Sequence, residues 1–271
     1  MTNSRPVALV TGASSGIGRA AARALSDAGY TVVGTSRNAA TSRPLDGVSF
    51  VDLDVSSDAS VDAAVATVVE RFGRIDLLVN NAGVGGSGAA EETSVDQARR
   101  IFDTNVFGVI RTTRAVLPHM RAQGSGRIVN VSSVLGFIPA PYMAVYAATK
   151  HAVEGYSESL DHEVRQYGVR VLLIQPGYTK TGFEANAMGP DSPLAVYDDQ
   201  RQVFDRIIAT SMEAGDDPTM VAAAIVGAAT DRKPKLRYTV GSLTKRVGLL
   251  RRLAPARAFD RQIHKFNELP A

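Results

Sequence analysis

Three polar side chains in the middle of the chain have the types and the spacing of an acid/base site. Tyr146 lies four residues before Lys150, and Ser133 lies thirteen residues before Tyr146. Residues four apart share one face of a helix, so the Lys150 ammonium can lie beside the Tyr146 phenol. A nearby cation lowers the pKa of a phenol from its reference value of about 10, and the phenol can then exchange protons with an alcohol or carbonyl oxygen. Taken alone, Tyr-x-x-x-Lys is also typical of two helix-surface residues.

A glycine-rich segment near the start of the chain is a candidate phosphate site. It reads TGASSGIG at residues 11–18, directly after an expected strand and before an expected helix. Gly12, Gly16 and Gly18 permit a tight turn in which backbone N–H groups approach a pyrophosphate at the positive end of a helix dipole. The context favours a dinucleotide-binding turn over the alternative, a plain strand-to-helix turn.

The residue after the second expected strand bears on which dinucleotide is bound. An NAD site places an acid there, about 20 residues beyond the glycines, to accept a hydrogen bond from the ribose 2′-OH. This chain has Arg37 at that point. A guanidinium can pair with a 2′-phosphate, and Ser14 can donate its hydroxyl to the same group, so the sequence favours NADP(H). The alternative is that Arg37 is a solvated loop charge.

Alternating strand and helix patterns position these residues. Runs rich in Val, Ile and Leu predict buried strands at residues 7–11, 31–36, 48–51, 77–80, 127–131 and 169–174, with a last strand near 238–240. Helical patterns lie at about 16–28, 58–72, 95–122, 143–167, 200–214 and 218–230. Strands that are apolar on both faces predict a single-domain α/β fold, a doubly wound parallel sheet with helices on both faces. Ser133 then lies at the carboxyl edge of the sheet, where ligands bind in this architecture.

Local signals agree with these boundaries. Ser94 followed by Gln97 predicts a capping box, and Gly29 and Gly168 stand where the end of a helix favours a positive φ. The acidic pairs at 91–92 and 216–217 fall at expected helix starts, where compensation of the helix dipole explains them without catalysis.

Composition excludes several classes of protein. The 30 Lys and Arg against 27 Asp and Glu give a charge of only +3 over 271 residues, which argues against a nucleic-acid binder. The absence of cysteine excludes disulfides, thiolate metal sites and a cysteine nucleophile, and the four scattered histidines show no metal-binding spacing. The apolar run at 221–229 is far shorter than the roughly 20 residues of a membrane span. Because no signal segment opens the chain, we expect a cytoplasmic protein.

Together the motifs resemble those of the short-chain dehydrogenase/reductase family, and most closely its steroid- and retinol-dehydrogenase-like branch. The matching segments are TGASSGIG at 11–18, NNAG at 80–83, Asn105 within TNVFG, Ser133, YAATK at 146–150, and PG at 176–177 with Thr181. They follow the family's order and spacing over about residues 6–182. The resemblance implies a Rossmann-like sheet of about seven strands, an NAD(P)-dependent alcohol/carbonyl oxidoreductase, and a homodimer or homotetramer.

The resemblance also implies a role for each matching residue. Tyr146 is expected to be the acid/base, Lys150 to bind the nicotinamide ribose and lower the tyrosine pKa, and Ser133 to polarise the carbonyl oxygen. Asn105 is expected to hold a water in a proton relay to the lysine. The expected cofactor contacts, besides Arg37, Tyr146 and Lys150, are Gly12, Ser14, Ser15, Gly16, Ile17, Gly18, Asp54, Val55, Asn81, Ala82, Gly83, Pro176, Gly177, Thr179 and Thr181. Thr179 departs from the valine that the family usually has there.

The sequence therefore predicts an NADP(H)-dependent carbonyl reductase that transfers hydride between the cofactor and a mostly apolar small molecule, with tyrosine as acid/base. The alternative is a non-catalytic NADP(H) sensor or partner-binding protein on the same fold. The presence of all four of Ser133, Tyr146, Lys150 and Asn105 favours catalysis.

Substrate specificity is expected to lie in the irregular segment at about 178–217. Its apolar residues are Tyr178, Phe183, Met188, Leu194, Val196, Tyr197 and Phe204, and the residues Leu135, Phe137, Tyr142 and Met143 offer an opposite wall. An apolar substrate is favoured, with the alternative that half of these side chains are simply core. The catalytic domain is expected to span 1–240.

Residues 241–271 are expected to form a basic helical extension. Residues 232–265 contain eleven Lys and Arg and one acid, Asp260, so this stretch carries +10 and the rest of the chain −7. Apolar residues recur in the extension at helical spacing: Leu243, Val247, Leu250, Phe259, Ile263 and Phe266. Such a segment can bind a membrane surface or a partner, but an ordinary helix with its apolar side on the domain is the favoured interpretation.

Overall fold

One twisted parallel sheet organises the molecule. The computed structural model describes residues 5–183 and 187–270, and its sheet has the strand order β3-β2-β1-β4-β5-β6-β7. The strands are β1 (Val7–Val10), β2 (Thr31–Ser36), β3 (Val48–Asp52), β4 (Leu77–Asn80), β5 (Gly126–Val131), β6 (Val169–Gln175) and β7 (Arg237–Thr239). Each strand boundary lies within one residue of the prediction, and the doubly wound α/β fold is confirmed. The strands β1 to β3 follow one another toward one edge of the sheet, and β4 to β7 follow one another toward the other. The order therefore switches between β1 and β4, which is where such folds bind ligands.

Helices cover both faces of this sheet. They are α1 (Gly16–Asp27), α2 (Asp58–Phe72), α3 (Val95–Phe102), α4 (Gly108–Gln123), α5 (Ala144–Val164), α6 (Asp198–Glu213), α7 (Pro218–Thr230), α8 (Ser242–Leu253) and α9 (Ala256–Phe266). One buried cluster joins α1 and α7 to one face, through side chains such as Leu25 and Ile225. A second joins α2, α4 and α5 to the other, through side chains such as Val68 and Met120. The continuous apolar runs of the strands are explained by burial on both sides.

The prediction of one helix over 95–122 is wrong in detail. A π-helical turn, Asp103–Phe107, separates α3 from α4. A π-turn inserts an extra residue into the helical ladder, a change that hydrophobic periodicity does not reveal. Here the turn carries Asn105 into the interior, where it is 1% exposed. Directly after it, Gly108 abuts Val55, and a Cβ on that glycine would lie 2.9 Å from the valine Cγ2.

The capping prediction at Ser94 is half right. The Ser94 hydroxyl accepts from the Gln97 N–H at 3.1 Å, as expected, but the Gln97 side chain does not return to Ser94. Instead it donates to the Gly189 carbonyl, and the Ser94 N–H donates to Asp191 at 2.8 Å. The start of α3 is therefore tied to the substrate segment. Gly29 and Gly168 do have positive φ, +93° and +73°.

The two C-terminal helices differ in how they fit the favoured interpretation of the basic extension. In α9, Phe259 is buried as an ordinary packing residue would be. In α8, by contrast, Leu243 and Leu250 face solvent, while Thr244 is buried against the domain. The helix therefore presents its leucines outward. Among residues 5–183 and 187–270, no helix has both the length and the apolar character needed to cross a membrane.

Candidate functional site

The carboxyl ends of four neighbouring strands bring the predicted residues to one edge of the sheet. The glycine-rich segment follows β1, the NNAG segment ends β4, Ser133 follows β5, and Pro176 and Gly177 follow β6. Since these strands are adjacent and parallel, the segments meet although they are separated by up to about 160 residues in the chain.

The glycine-rich turn has the geometry of a phosphate cradle. Gly12 and Gly16 have φ of +66° and +52°, which side chains other than glycine rarely adopt. A Cβ on Gly18 would lie 2.2 Å from the Gly12 carbonyl oxygen, so only glycine fits there. Helix α1 begins at Gly16, and in the part of the chain that the structure describes, the Ser15 side chain does not cap its first turn. The N–H groups of that turn can therefore bind an anion, and the residues present fit a dinucleotide pyrophosphate.

The NNAG segment is held against this turn. The Asn81 side chain donates to the carbonyls of Thr11 and Gly12 at 3.0 and 3.2 Å. The buried Thr11 hydroxyl accepts from the N–H groups of Asn81 and Ala82, both at 3.0 Å. In this structure Asn81 therefore fixes the shape of the turn from behind.

Arg37 follows β2 and Asp54 follows β3. Both therefore lie on the side of the glycine-rich turn away from β4 and Asn81. Hydrogen bonds from the Ser56 hydroxyl and N–H, together with the charge of Arg37, hold the pKa of Asp54 below its ordinary value. The Arg37 side chain is exposed, whereas Val55 is buried beside Gly108. A cation in solvent at the end of β2 is available to a phosphate.

Tyr146 and Lys150 occupy one face of α5, as the spacing predicts. The Lys150 Nζ lies 5.6 Å from the centroid of the Tyr146 ring and donates to the Val131 carbonyl at 2.9 Å. Both side chains are buried. Burial lowers the pKa of Lys150 to about 8, although the carboxylate of Glu154, one turn further along α5, opposes this shift. A buried amine beside a phenol is poised to change charge near neutral pH.

Ser133 caps a short 3₁₀ turn, Val134–Gly136, that packs against α5. Its hydroxyl oxygen accepts from the Leu135 N–H at 3.1 Å, which leaves the hydroxyl hydrogen free to be donated to another group. The Val134 N–H donates to the Pro176 carbonyl at 2.8 Å. Ser133 and the Pro176 segment are thereby fixed relative to each other.

Asn105 joins the π-turn to both halves of the site. Its amide exchanges hydrogen bonds with the backbone of Val84, at 2.8 and 2.9 Å, and donates to the Thr149 hydroxyl at 3.3 Å. Thr149 adjoins Lys150, and Gly83 is so close that a Cβ there would lie 3.2 Å from the Asn105 Oδ1. Asn105 is expected to act near Lys150. The structure adds the π-turn that carries Asn105 to its position beside Thr149.

The segment after β6 closes over the glycine-rich turn. Thr181 is adjacent to Gly16, since a Cβ on that glycine would lie 3.3 Å from the threonine side chain. Thr179 is buried and donates to the Gly177 carbonyl at 3.1 Å. The hydroxyl that replaces the usual valine at 179 thus supports the backbone of its own loop.

An apolar cluster surrounds Tyr146, and only part of the predicted wall belongs to it. Its members are Met143, Tyr146 and Phe204, with Leu135, Ala140, Tyr142, Phe183 and Ile208 packed around them. The rings of Tyr146 and Phe183 are 5.9 Å apart, and those of Tyr142 and Phe204 5.8 Å. Leu194 and Val196 are instead exposed and lie outside this cluster, so their expected contact with substrate stays a prediction. Tyr142 has φ of +62°, a strained conformation at the edge of this cluster.

The acidic pair at 91–92 holds a role that sequence patterns did not indicate. Glu92 is completely buried, forms an ion pair with Arg201 of α6, and accepts from the N–H groups of Ala89 and Leu194 at 2.9 and 2.8 Å. It anchors α6 over the site and does not compensate a helix dipole. Asp217, in the second pair, does cap its helix, accepting from the Thr219 N–H at 2.8 Å.

Glu154 is a second residue that sequence reasoning missed, and it leads to a testable prediction. Its carboxylate is buried, accepts from Gln175 at 2.9 Å and pairs with Arg237 at 2.8 Å. Glu154→Gln removes the charge that opposes the lowering of the Lys150 pKa, so that pKa should fall below 8. If the reaction requires the ammonium form, activity is lost as pH rises through this pKa. The alkaline limb of the pH profile of kcat/KM is therefore expected to move to lower pH.

Glu158→Gln is the matched control for this prediction. Glu158 pairs with the same Arg237 at 2.8 Å, but its side chain is 48% exposed and it lies eight residues after Lys150 on α5. The alkaline limb of the pH profile of kcat/KM for Glu158→Gln should stay at the pH at which the unaltered protein has it. Equal displacement in the two variants would show that loss of the Arg237 pairing, and not the Glu154 charge at Lys150, causes the effect.

Comparison with known proteins agrees with this geometry. The family model for short chain dehydrogenase matches residues 6–190. A 3-ketodihydrosphingosine reductase of Bacteroides thetaiotaomicron is 38% identical over 242 residues, 88% of this chain and 89% of the relative. A short-chain dehydrogenase structure from Streptomyces avermitilis has a TM-score of 0.83 at 37% identity and covers 99% of both chains.

A further structure bears on the cofactor. A short chain dehydrogenase/reductase from Burkholderia phymatum in complex with NAD has a TM-score of 0.78 at 30% identity, covering 97% of this chain and 96% of that one. The fold, the order of the motifs and the extent of these matches identify the chain as an oxidoreductase that uses a nicotinamide cofactor. It belongs to the short-chain dehydrogenase family, in the retinol- and steroid-dehydrogenase-like branch.

Proposed function

We propose that the protein is an NADP(H)-dependent oxidoreductase that interconverts a carbonyl and an alcohol on a mostly apolar small molecule. The observation that carries this proposal is the buried pair of Tyr146 and Lys150, which lies at the ligand-binding edge of the sheet inside an apolar cluster. A non-catalytic sensor would need neither an acid/base phenol nor a neighbouring ammonium, which supports catalysis over that alternative.

The cofactor would be held along the edge formed by β1 to β6. The pyrophosphate would bind the turn and helix start formed by Gly12, Ser14, Ser15, Gly16, Ile17 and Gly18. The adenosine half would lie near Asp54, Val55, Asn81 and Ala82, and the nicotinamide half near Gly83, Asn105, Tyr146, Lys150, Pro176, Gly177, Thr179 and Thr181. When bound, the nicotinamide supplies the hydride for reduction or accepts it in oxidation.

The protein's own residues would handle the proton. In the reductive direction the carbonyl carbon gains a hydride, and Tyr146 gives its phenolic proton to the carbonyl oxygen, so that the product is a neutral alcohol. Ser133 would donate a hydrogen bond to the same oxygen and stabilise its developing negative charge. The Lys150 ammonium would stabilise the phenolate that remains until it is reprotonated. Asn105 would hold a water on the path from solvent to Lys150.

Arg37 supports a preference for NADP(H). Its guanidinium is exposed at the end of β2, where a bound dinucleotide would carry the 2′ substituent, and Ser14 lies in the turn beside it. A charge-assisted pair with a phosphate is about twice as strong as a neutral hydrogen bond. Asp54 lies close enough for its pKa to respond to Arg37, so the local field is not uniformly positive.

The apolar cluster supports an apolar substrate. Phe183, Met143 and Phe204 pack around the Tyr146 ring and can offer apolar contacts to a substrate beside it. The name of the Bacteroides relative, 3-ketodihydrosphingosine reductase, points to the same kind of substrate, a ketone on a long apolar chain. We extend to this chain only the class, an apolar ketone or secondary alcohol.

The remaining parts of the proposal concern domain organisation, location and partners. Residues 1–240 would form the catalytic domain, with a substrate segment at about 178–217, and 241–271 a basic extension. The protein would act in the cytoplasm as a homodimer or homotetramer, and it would not bind nucleic acid.

The experiment that tests this function is oxidation of NADPH and of NADH, followed by absorbance, against matched sets of ketones and aldehydes. One set carries long alkyl or polycyclic groups, including 3-ketodihydrosphingosine, and the other carries hydroxyl or carboxylate groups. We expect turnover with NADPH and the apolar set. Turnover of polar carbonyls alone would contradict the substrate class, and equal kcat/KM with the two cofactors would contradict the cofactor preference.

A further inference from the structure

We propose that the outer face of α8 is a docking surface for an anionic lipid surface. This inference concerns binding and does not require the proposed reaction. It starts from the way α8 sits on the domain. Thr244 is 2% exposed, and Gly248 is close enough to the domain that a Cβ on it would lie 3.6 Å from the Phe137 ring. The helix thus packs through small and polar residues.

The opposite side of α8 consists of leucines in solvent. The exposed fractions are 57% for Leu243, 61% for Leu249, 40% for Leu250 and 71% for Leu253. A helix in a soluble domain normally buries its apolar stripe, so a helix that turns four leucines outward has a face without a partner within the described chain. Scattered exposed leucines would need no explanation, but these four lie on one face within eleven residues.

Exposed cations stand beside the leucines on α8, and α9 carries two more. Lys245, Arg246 and Arg252 of α8 are exposed, as are Arg257 and Arg261 of α9. Among residues 5–183 and 187–270, no carboxylate forms an ion pair with any of the five. The stretch 232–265 carries +10 in a chain whose remainder carries −7. Five of the eleven cations in this stretch are therefore exposed on α8 and α9 without a carboxylate partner among the described residues.

Charge decides which occupant fits. A leucine stripe bordered by unpaired Lys and Arg matches the two parts of an anionic bilayer surface, the acyl boundary and the negative headgroups. A second copy related by a two-fold axis would place this cationic face against itself, because the same residues meet in such a contact.

The test is co-sedimentation of the full-length protein with vesicles of phosphatidylcholine alone and of phosphatidylcholine mixed with phosphatidylglycerol. We expect the mixed vesicles to bind the protein at least about tenfold more strongly, and added salt to weaken that binding. Leu249→Gln with Leu253→Gln should lower the partition coefficient by about tenfold or more. Lys245→Gln with Arg246→Gln and Arg252→Gln should remove the preference for the mixed vesicles.

Val95→Gln is the matched control, because Val95 is 66% exposed and begins α3, outside the C-terminal helices. It should bind vesicles as the unaltered protein does, and thermal unfolding of every variant checks that the fold is kept. No binding to the mixed vesicles, or unchanged binding by the double leucine variant, overturns the proposal. The proposal is also overturned if the protein does not bind vesicles and the double leucine variant dissociates an oligomer, since the occupant of the leucine face is then a second copy.

Discussion

Tyr146→Phe is expected to lower kcat by about 10²–10⁴-fold, the contribution that a positioned general acid typically makes. The phenylalanine keeps the ring in its place between Met143, Phe183 and Phe204, so only the proton donor is lost. Cofactor affinity should stay within about twofold, because one hydroxyl at the nicotinamide end is a small part of a contact that spans the whole dinucleotide. Steady-state assays give kcat, and titration of NADPH fluorescence gives the affinity.

Tyr156→Phe is the control for this variant. Tyr156 lies on the same helix, ten residues further on, and packs in core clusters separate from the site's apolar cluster. Removal of the Tyr156 hydroxyl should leave kcat unchanged. A Tyr146→Phe protein that turned over at the rate of the unaltered protein would exclude tyrosine as the acid/base.

Arg37→Asp is expected to raise the KM for NADPH by about 10–100-fold, because a hydrogen bond to a charged group contributes roughly 1.5–3 kcal/mol. The KM for NADH should stay constant or fall, since a carboxylate at the end of β2 can accept a hydrogen bond from a ribose 2′-OH. Arg37→Ala separates the two effects, as it removes the cation without adding an acceptor. The measurement is kcat/KM for both cofactors with one carbonyl substrate at saturation.

Arg23→Ala is the matched control for the arginine variants. Arg23 is an exposed arginine on α1, paired with Asp27 at 3.1 Å, and its removal changes the net charge by the same amount as Arg37→Ala. Both cofactors should be used as before. A fall in NADPH use that is the same in Arg23→Ala and Arg37→Ala would mean that overall charge, and not a contact at the 2′-phosphate, sets the preference.

Much of the fold could be predicted because its strands are buried on both faces. Such strands appear in the sequence as continuous Val, Ile and Leu runs, and glycines mark several of the turns between them. The meeting of the motifs at one edge followed from the fold, since parallel strands place their carboxyl ends together. The roles of single residues such as Asn105 came from the resemblance to the family. The proximity of Tyr146 and Lys150 could be predicted from the helical period alone, because residues four apart share one face of a helix.

The remaining features depend on contacts between distant segments. The π-turn at Asn105 changes no hydrophobic period, and the Glu92 pair with Arg201 joins residues over a hundred positions apart. The direction in which α8 faces is decided by whether Thr244 or a leucine fits against the loop at Gly177. A helical pattern shows that a helix has two faces but does not identify the one that the domain covers.

The close contact between α8 and the site has a thermodynamic consequence. A Cβ on Gly177 would lie 2.5 Å from the Thr244 Oγ1, so the loop expected to close on the nicotinamide and the helix that carries the exposed leucines touch without intervening atoms. If this loop moves α8 when cofactor binds, a surface bound to α8 must alter cofactor affinity by the same factor by which cofactor alters attachment to that surface. The concentration of cofactor would then influence how much of the protein is attached to that surface, with no second regulatory site.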